Sequence, residues 1–237
     1  MVKHISGWII EGVVASGKTT LIKQLQQILA NRYPARTKIY ISEHYTERVL
    51  EDEKSRGSIT AQVTIDLASK IVKELEGIAA WKSESKFCYN QNNAVINSTL
   101  ERFLGSHYAN LKTMNLWYAN SQDESRIINI YNRLSILGFS VVILKLPDSL
   151  ISQAVASTKL YRNAAWCQYL ETIGNDEEVG SYYLNWQNNL FEFYNTLSEQ
   201  IEIKILMVDQ LHSKHRYGEL AASLATEEDT AVPFPYN

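Results

Sequence analysis

At 237 residues the chain is long enough to bury a substantial apolar interior as one large α/β domain, with or without a mobile lid, and a second domain is not required. Lysine and arginine together number 23 against 26 aspartates and glutamates, a formal net charge of -3, which excludes a generally basic nucleic-acid binder and makes any anion site local. Cys88 and Cys167 are too few for a disulfide scaffold, and no apolar run approaches a membrane span or follows a cationic leader. The expectation is a soluble, cytoplasmic protein without a membrane partner.

In chain order, an apolar run from Trp8 to Ile10 leads into Glu11-Gly12-Val13-Val14-Ala15-Ser16-Gly17-Lys18-Thr19-Thr20, and Leu21, Leu25, Ile28 and Leu29 follow at helical spacing. Strand, loop and helix around G-x-x-x-x-G-K-S/T make a phosphate-binding loop. The glycines let the backbone curl, so that N–H groups from Gly12 and from Val14 through Thr20, aided by the helix dipole, line a nest for the β- and γ-phosphates of ATP. Lys18 reaches those phosphates and the Thr19 hydroxyl sits on Mg²⁺.

Lys38 to Ser42 reads as a second strand, which delivers Glu43, His44 and Tyr45 to the ligand edge of a parallel sheet. Glu47 to Arg56 is a charged surface connector or frayed helix. From Ile59 to Trp81 the pattern is a long amphipathic helix with Ile59, Val63, Leu67, Ile71 and Leu75 on its buried stripe, ending near Gly77 or shortly after. On its early turns Gln62 either hydrogen-bonds a base edge or faces solvent. A polar loop through Asn93 precedes Ala94 to Ile96, the third strand, after which Glu101 and Arg102 stand side by side. Glu101 suits Mg²⁺ through water, or a substrate hydroxyl, and Arg102 suits a phosphate; an ion pair or a helix-start carboxylate is the structural alternative.

Arg126 to Leu137 is a helix stopped by Gly138, and Phe139 to Leu146 is the fourth strand, with Pro147-Asp148-Ser149 opening a helix over Leu150 to Ala156. Residues 157–180 combine Lys159, Arg162, Trp166 and Tyr169 with an acidic loop at Asp176-Glu177-Glu178, the composition of a lid whose cations close over a transferring phosphate; plain packing of the aromatics is the competing account. Tyr182 to Leu197 is a further helix carrying Leu184, Leu190, Phe191 and Tyr194. Ile201 to Val208 is the fifth strand, with Asp209-Gln210-Leu211-His212 where an adenine-contacting loop fits. A short helix from Arg216 to Leu224 and a loose tail over 226–237 complete the chain, and His212 and His215 lack metal-type spacing. Five apolar strands alternating with helices imply a mostly parallel sheet covered on both faces, with the first strand central and the phosphate loop at its carboxyl end.

The sequence resembles the thymidylate kinase and deoxynucleoside kinase branch of the phosphate-loop kinases in Glu11-Gly12 leading to Gly17-Lys18-Thr19-Thr20, in Glu101-Arg102 with Ser106 downstream, in Leu146-Pro147-Asp148 and in the Lys159/Arg162 segment. The resemblance implies a three-layer sandwich with a five-stranded parallel sheet and a helical lid. It implies transfer of the ATP γ-phosphoryl to a nucleoside or nucleoside monophosphate, often by a homodimer. In that scheme Lys18 stabilises the transferring group, Thr19 binds Mg²⁺, Arg102 orients phosphate, Arg162 belongs to the lid and Glu43 is the acid near the acceptor hydroxyl. The chain departs from the pattern in placing His44-Tyr45-Thr46, without proline, after Glu43, and in having one lid arginine. The same residues also suit a kinase of another hydroxylated small molecule, or a nucleotide-dependent switch that transfers to nothing. A nucleoside acceptor requires a hollow near Glu43 and Arg102 that Tyr45 and neighbouring aromatics do not fill.

Overall fold

The structure is a computed structural model that describes residues 5–50, 57, 59–84, 95–209 and 213–231. The sequence readings that fall on Cys88, on the connector from residue 51 to Arg56, on most of the polar loop before the third strand, on Ala94, on Gln210 to His212 and on the tail beyond 231 lie outside the described residues.

Five strands, β1 (Ile5–Gly12), β2 (Lys38–Ile41), β3 (Ile96–Glu101), β4 (Phe139–Lys145) and β5 (Ile203–Met207), form one sheet in the order β2-β3-β1-β4-β5. Each neighbouring pair is parallel. Because β1 is paired on both edges and covered on both faces, Trp8, Ile9 and Ile10 are all buried, as a near-continuous apolar run in a central parallel strand must be. The edge strand β2 instead alternates exposed and half-buried residues. Register has a direct consequence for function. Ile10 pairs with Glu101 on one side and Gly12 with Leu144 on the other, so the carboxyl ends of three strands converge on the loop that follows Gly12.

The helices are α1 (Lys18–Arg32), the one-turn α2 (Glu43–Thr46), α3 (Ala61–Glu84), α4 (Leu104–Thr113), α5 (Ser121–Leu137), α6 (Asp148–Ser157), α7 (Ala164–Ile173), α8 (Asp176–Asn195) and α9 (Lys214–Ala231). They cover both faces of the sheet; α1 packs on α9, α4 on α8, and α3 on α5. Gly138, at φ 99°, ends α5 as read from the sequence.

Five expectations change, one of them at the end of the chain: α9 starts at Lys214 and runs through Ala231, so residues 226–231 of the tail read as loose are helical. The third strand does not end at Ile96 but begins there and carries Asn97, Ser98 and Thr99 into the buried centre of the sheet, because ladders to β1 and β2 on its two sides override the low strand preference of Asn97 and the polarity of all three side chains. On α3 the buried apolar residues are Ala61, Ile65, Ala68, Val72, Leu75 and Ala79, with Thr64 buried beside them, while Val63, Leu67 and Ile71 are half-buried. Steps alternating between four and three keep to one face of a 3.6-residue helix, whereas the uniform four-residue steps of the sequence reading drift around it. The acidic trio Asp176-Glu177-Glu178 is not a loop but the first turn of α8. The Asn175 side chain accepts the Glu177 and Glu178 N–H groups, Glu178 returns the bond to Asn175 N, and three carboxylates sit at the positive end of the helix dipole. A capping box of Asn120 and Asp123 likewise starts α5 at Ser121, ahead of Arg126.

Candidate active site

At the carboxyl end of β1 the chain turns through three positions of positive φ: Gly12 at 143°, Ala15 at 64° and Gly17 at 84°. Gly17 is doubly constrained, since a Cβ there would also lie 2.0 Å from the Tyr217 hydroxyl of α9. Tyr217 donates that hydroxyl to the Ser16 carbonyl at 2.9 Å, so the last helix packs onto the back of the loop. Lys18, the first residue of α1, is only 6% exposed; its Nζ folds back and donates to the Gly12 carbonyl at 2.8 Å and the Val13 carbonyl at 2.9 Å. Burial, with the nearby Arg102 charge adding to it, pulls the Lys18 ammonium down to about 7. Thr19 Oγ1 donates to Glu101 Oε1 at 2.6 Å, and the Tyr40 hydroxyl donates to Glu101 Oε2. Ala15, Gly17, Lys18, Thr19 and Thr20 line a hollow of about 400 Å³ together with Glu43, Glu101, Arg102, Tyr161, Arg162, Lys214 and Tyr217.

Arg102, just past the end of β3, takes a left-handed backbone at φ 58°. Its guanidinium pairs with Glu47 through Nη1 and lies 3.5 Å from Glu43 Oε2 through Nε; the other Glu43 oxygen is 2.8 Å from Arg48 Nη2. Burial alone would lower its pKa, but the Glu47 and Glu43 carboxylates more than offset this and the net direction is upward.

A second and larger hollow, of about 990 Å³, lies on the far side of Arg102. Val14, Glu47, Arg48, His107, Asn110, Trp166, Tyr169, Tyr183 and Trp186 contribute to its wall, and Arg102 and Arg162 belong to the walls of both hollows. Tyr45 does not fill it: that ring is 68% exposed and lines neither cavity. The Arg162 guanidinium stacks on Trp166, 4.5 Å from the ring centroid, and Trp166 Nε1 is anchored by the Thr158 hydroxyl at 2.8 Å. Desolvation lowers the Arg162 pKa, with the Arg102 charge adding to that effect.

The structure thus brings together Gly12, Gly17, Lys18, Thr19, Thr20, Glu43, Glu101, Arg102 and Arg162, along with Val14, Ala15 and Ser16 of the loop. Two residues singled out by sequence are placed elsewhere. Gln62 is exposed on α3, donates to Asp66 Oδ1 at 2.9 Å and lines neither hollow, because the face of α3 that carries it points outward. Lys159 turns to Asp176 at 2.6 Å and also lines neither, since the three-residue 3₁₀ turn Thr158–Leu160 directs Lys159 and Arg162 differently. Sequence reasoning gave no role to Tyr40, His107, Tyr183, Trp186 or Tyr217, and it placed Glu47 and Arg48 at the start of a surface connector, whereas Glu47 is buried against Arg102 and Arg48 pairs with Glu43. Only Tyr40 carried a local signal, as a residue two positions before the end of a strand read from its own composition; the others reach the site through helix packing.

Thr19 and Glu101 offer a hydroxyl and a carboxylate at the mouth of the phosphate hollow, an oxygen donor set that fits a hard divalent cation whose remaining ligands are water and phosphate. Among the described residues no group of three or more His, Cys, Asp or Glu side chains is arranged to hold a metal by itself. No helix among them is long and apolar enough to cross a membrane.

A parallel five-stranded sheet whose central strand feeds a glycine-bearing loop, and then a helix opening on lysine and threonine, is the architecture of the phosphate-loop nucleotide-binding fold, and this chain has it. No protein-family model matches the chain, and no curated protein matches it. Among solved structures it is similar to deoxyadenosine kinase from M. mycoides with bound dCTP, at 17% identity over 93% of this chain and 99% of that one (TM-score 0.45). The same enzyme with bound dATP matches at 18% identity over 93% and 99% (TM-score 0.44). Thymidylate kinase from Ehrlichia chaffeensis matches at 12% identity over 93% and 98% (TM-score 0.49).

Proposed function

We propose that this chain is an ATP-dependent phosphotransferase that moves the γ-phosphoryl group to a nucleoside or nucleoside monophosphate. The observation that carries the reading is the wall shared by the two hollows. A cavity of about 400 Å³ over the loop and an aromatic-lined cavity of about 990 Å³, at the upper end of the size of small-molecule sites, meet at Arg102 and Arg162. Two reactants seated there would meet in one place, with the guanidinium groups beside the group in transit.

The chemistry asks for positioning and charge stabilisation more than for covalent help. Lys18 and the loop amides grip the donor phosphates, and the binding of an anion there favours the charged ammonium that burial otherwise disfavours. Thr19 and Glu101 would hold Mg²⁺, which when bound neutralises charge along the phosphates. Arg102 and Arg162 take up charge on the transferring oxygens. Glu43, which lines the phosphate hollow beside Arg102, accepts the proton of the attacking hydroxyl. Trp166, Tyr169, Tyr183 and Trp186 supply flat apolar surface for a base. The same proposal treats residues 157–180 as a lid on a single domain, Arg162 being its catalytic cation, and takes the active form to be a cytoplasmic homodimer.

A kinase of another hydroxylated small molecule is the second reading, and one observation favours it: Gln62, the residue offered for a base edge, lies away from both hollows.

The test is phosphoryl transfer from ATP across a panel of nucleosides, nucleoside monophosphates and other hydroxylated compounds, with Lys18→Ala and Glu43→Gln as variants. Lys18→Ala should abolish turnover, and Glu43→Gln should lower kcat by about 100-fold while ATP affinity stays within about threefold. Transfer only to a non-nucleoside would select the second reading. Slow ATP hydrolysis with transfer to nothing would defeat both, and equal loss of ATP affinity in the two variants would contradict the division of roles.

A further inference from the structure

Glu11 is fully buried at the end of β1, immediately before the phosphate loop, and lines neither hollow. A carboxylate in such a place is costly unless donors surround it. Three do, two from the N-terminal end of α4 and one from α8. The Phe103 N–H reaches Oε1 at 3.0 Å, the Tyr194 hydroxyl of α8 reaches Oε1 at 2.8 Å, and the Ser106 hydroxyl of α4 reaches Oε2 at 2.5 Å. Tyr194 is itself backed by the Tyr131 hydroxyl of α5 at 3.0 Å. Space has been made for this convergence, since a Cβ on Gly105 would lie 2.5 Å from the Tyr194 ring.

The first of these donors belongs to the peptide that follows Arg102. On the other side of the same residue, Arg102 N donates to the Ile10 carbonyl at 3.0 Å. The left-handed turn at Arg102, φ 58°, is therefore clamped from both sides by consecutive residues of β1, one through its backbone and one through its side chain. Non-glycine residues stay in that conformation only where their surroundings enforce it.

We infer that Glu11 is a positioning residue: its carboxylate holds the Arg102 turn against the end of β1 and so keeps the Arg102 guanidinium in the wall between the two hollows. The inference rests on the proposed role of Arg102 in phosphoryl transfer. Charge on Glu11 is not what the clamp uses. A glutamine can accept from Phe103 N–H and Tyr194 through its carbonyl and, with the direction of the Ser106 bond reversed, donate to that hydroxyl through its amide, so Glu11→Gln keeps the acceptor that holds the turn. Glu11→Ala removes the acceptor and frees the turn.

The experiment compares Glu11→Ala, Glu11→Gln, Arg102→Ala and the Glu11→Ala/Arg102→Ala double variant, using the acceptor that wild type phosphorylates best. Glu11→Ala should lower kcat by roughly 10- to 100-fold with the KM for ATP within about threefold, the size expected when a reacting-centre group is misplaced by about an ångström. Glu11→Gln should restore most of kcat, and Glu11→Ala should cost nothing further once Arg102 is gone. Crystal structures give a readout independent of activity: the Arg102 backbone should leave the left-handed region in Glu11→Ala and keep it in Glu11→Gln. If Glu11→Ala does not fold, Glu11→Asp, one methylene too short to span Phe103 N–H and both hydroxyls, takes its place. A Glu11→Gln variant as slow as Glu11→Ala, losses that multiply in the double variant, or an unmoved Arg102 in Glu11→Ala would each overturn the inference. If wild type transfers phosphoryl to nothing, the proposed function fails, and the crystal structures still decide whether Glu11 sets the Arg102 turn.

Discussion

Replacing Lys18 by methionine should change the stability of the nucleotide-free protein by an amount that depends on pH in a calculable way. The ammonium sits buried beside Arg102 at about 7 instead of the usual 10.5. A group whose folded-state pKa is depressed gives its full contribution to folding above its unfolded value, here about 10.5, and loses it as pH falls through about 7. At 1.36 kcal/mol per pKa unit, keeping the lysine costs the folded state about 5 kcal/mol at pH 6, where it is buried charged, and about 2 kcal/mol at pH 9, where it gives up its proton on folding. Methionine escapes that cost at both pH values. It gives up the bonds from Nζ to the Gly12 and Val13 carbonyls, about 1–3 kcal/mol for unpaired acceptors, a loss that is similar at the two pH values and cancels in the comparison. Lys18→Met relative to wild type should therefore be more favourable at pH 6 than at pH 9 by about 3 kcal/mol, to order of magnitude. Urea unfolding at the two pH values, in EDTA and without nucleotide, measures this difference directly. A difference below about 0.5 kcal/mol would show that Lys18 is not held at a depressed pKa. Nucleotide binding by Lys18→Met should be lost at both pH values, so the residue trades stability for function.

Two further outcomes follow from the same geometry. Gly17→Ala combines a left-handed backbone, about 1–2 kcal/mol, with overlap of the new methyl on the Tyr217 hydroxyl, about 1–3 kcal/mol; a urea midpoint corresponding to about 2–5 kcal/mol of lost stability is expected, and less than about 1 kcal/mol would mean that α9 yields freely to the loop. Arg162→Ala should lower kcat by roughly 10- to 100-fold, whereas Lys159→Ala, on a solvent-facing pair with Asp176, should stay within about twofold in the same transfer assay; equal losses would show that the 3₁₀ turn reorients in the working enzyme.

The parts of the site that could be read from the sequence are those encoded within a few residues of one another. Glycine spacing, an apolar lead-in and a lysine-threonine helix start marked the phosphate loop, and a strand ending before Glu43 placed that acid at the ligand edge. The errors have equally local causes. Asn97 and Ser98 are polar and break the apolar run, so composition alone ends the third strand at Ile96, where the structure begins it. Asn175 and Glu178 form a capping box, so the acidic trio that composition alone reads as a loop is the first turn of α8.

By itself the sequence determined the alternation of strands and helices and the glycine-bearing turn that opens on Lys18 and Thr19, because φ/ψ preferences, apolar period and helix starts are properties of short segments. Only the tertiary structure decided that Ile10 lies beside Glu101, that Arg102 stands between two hollows, and that Glu11 is held by Ser106 and Tyr194, which are 95 and 183 residues away in the chain. The larger hollow likewise draws its wall from Val14 to Trp186. Such juxtapositions are set by strand order, register and the packing of whole helices, in which the free energy belongs to surfaces that meet only when the chain has folded.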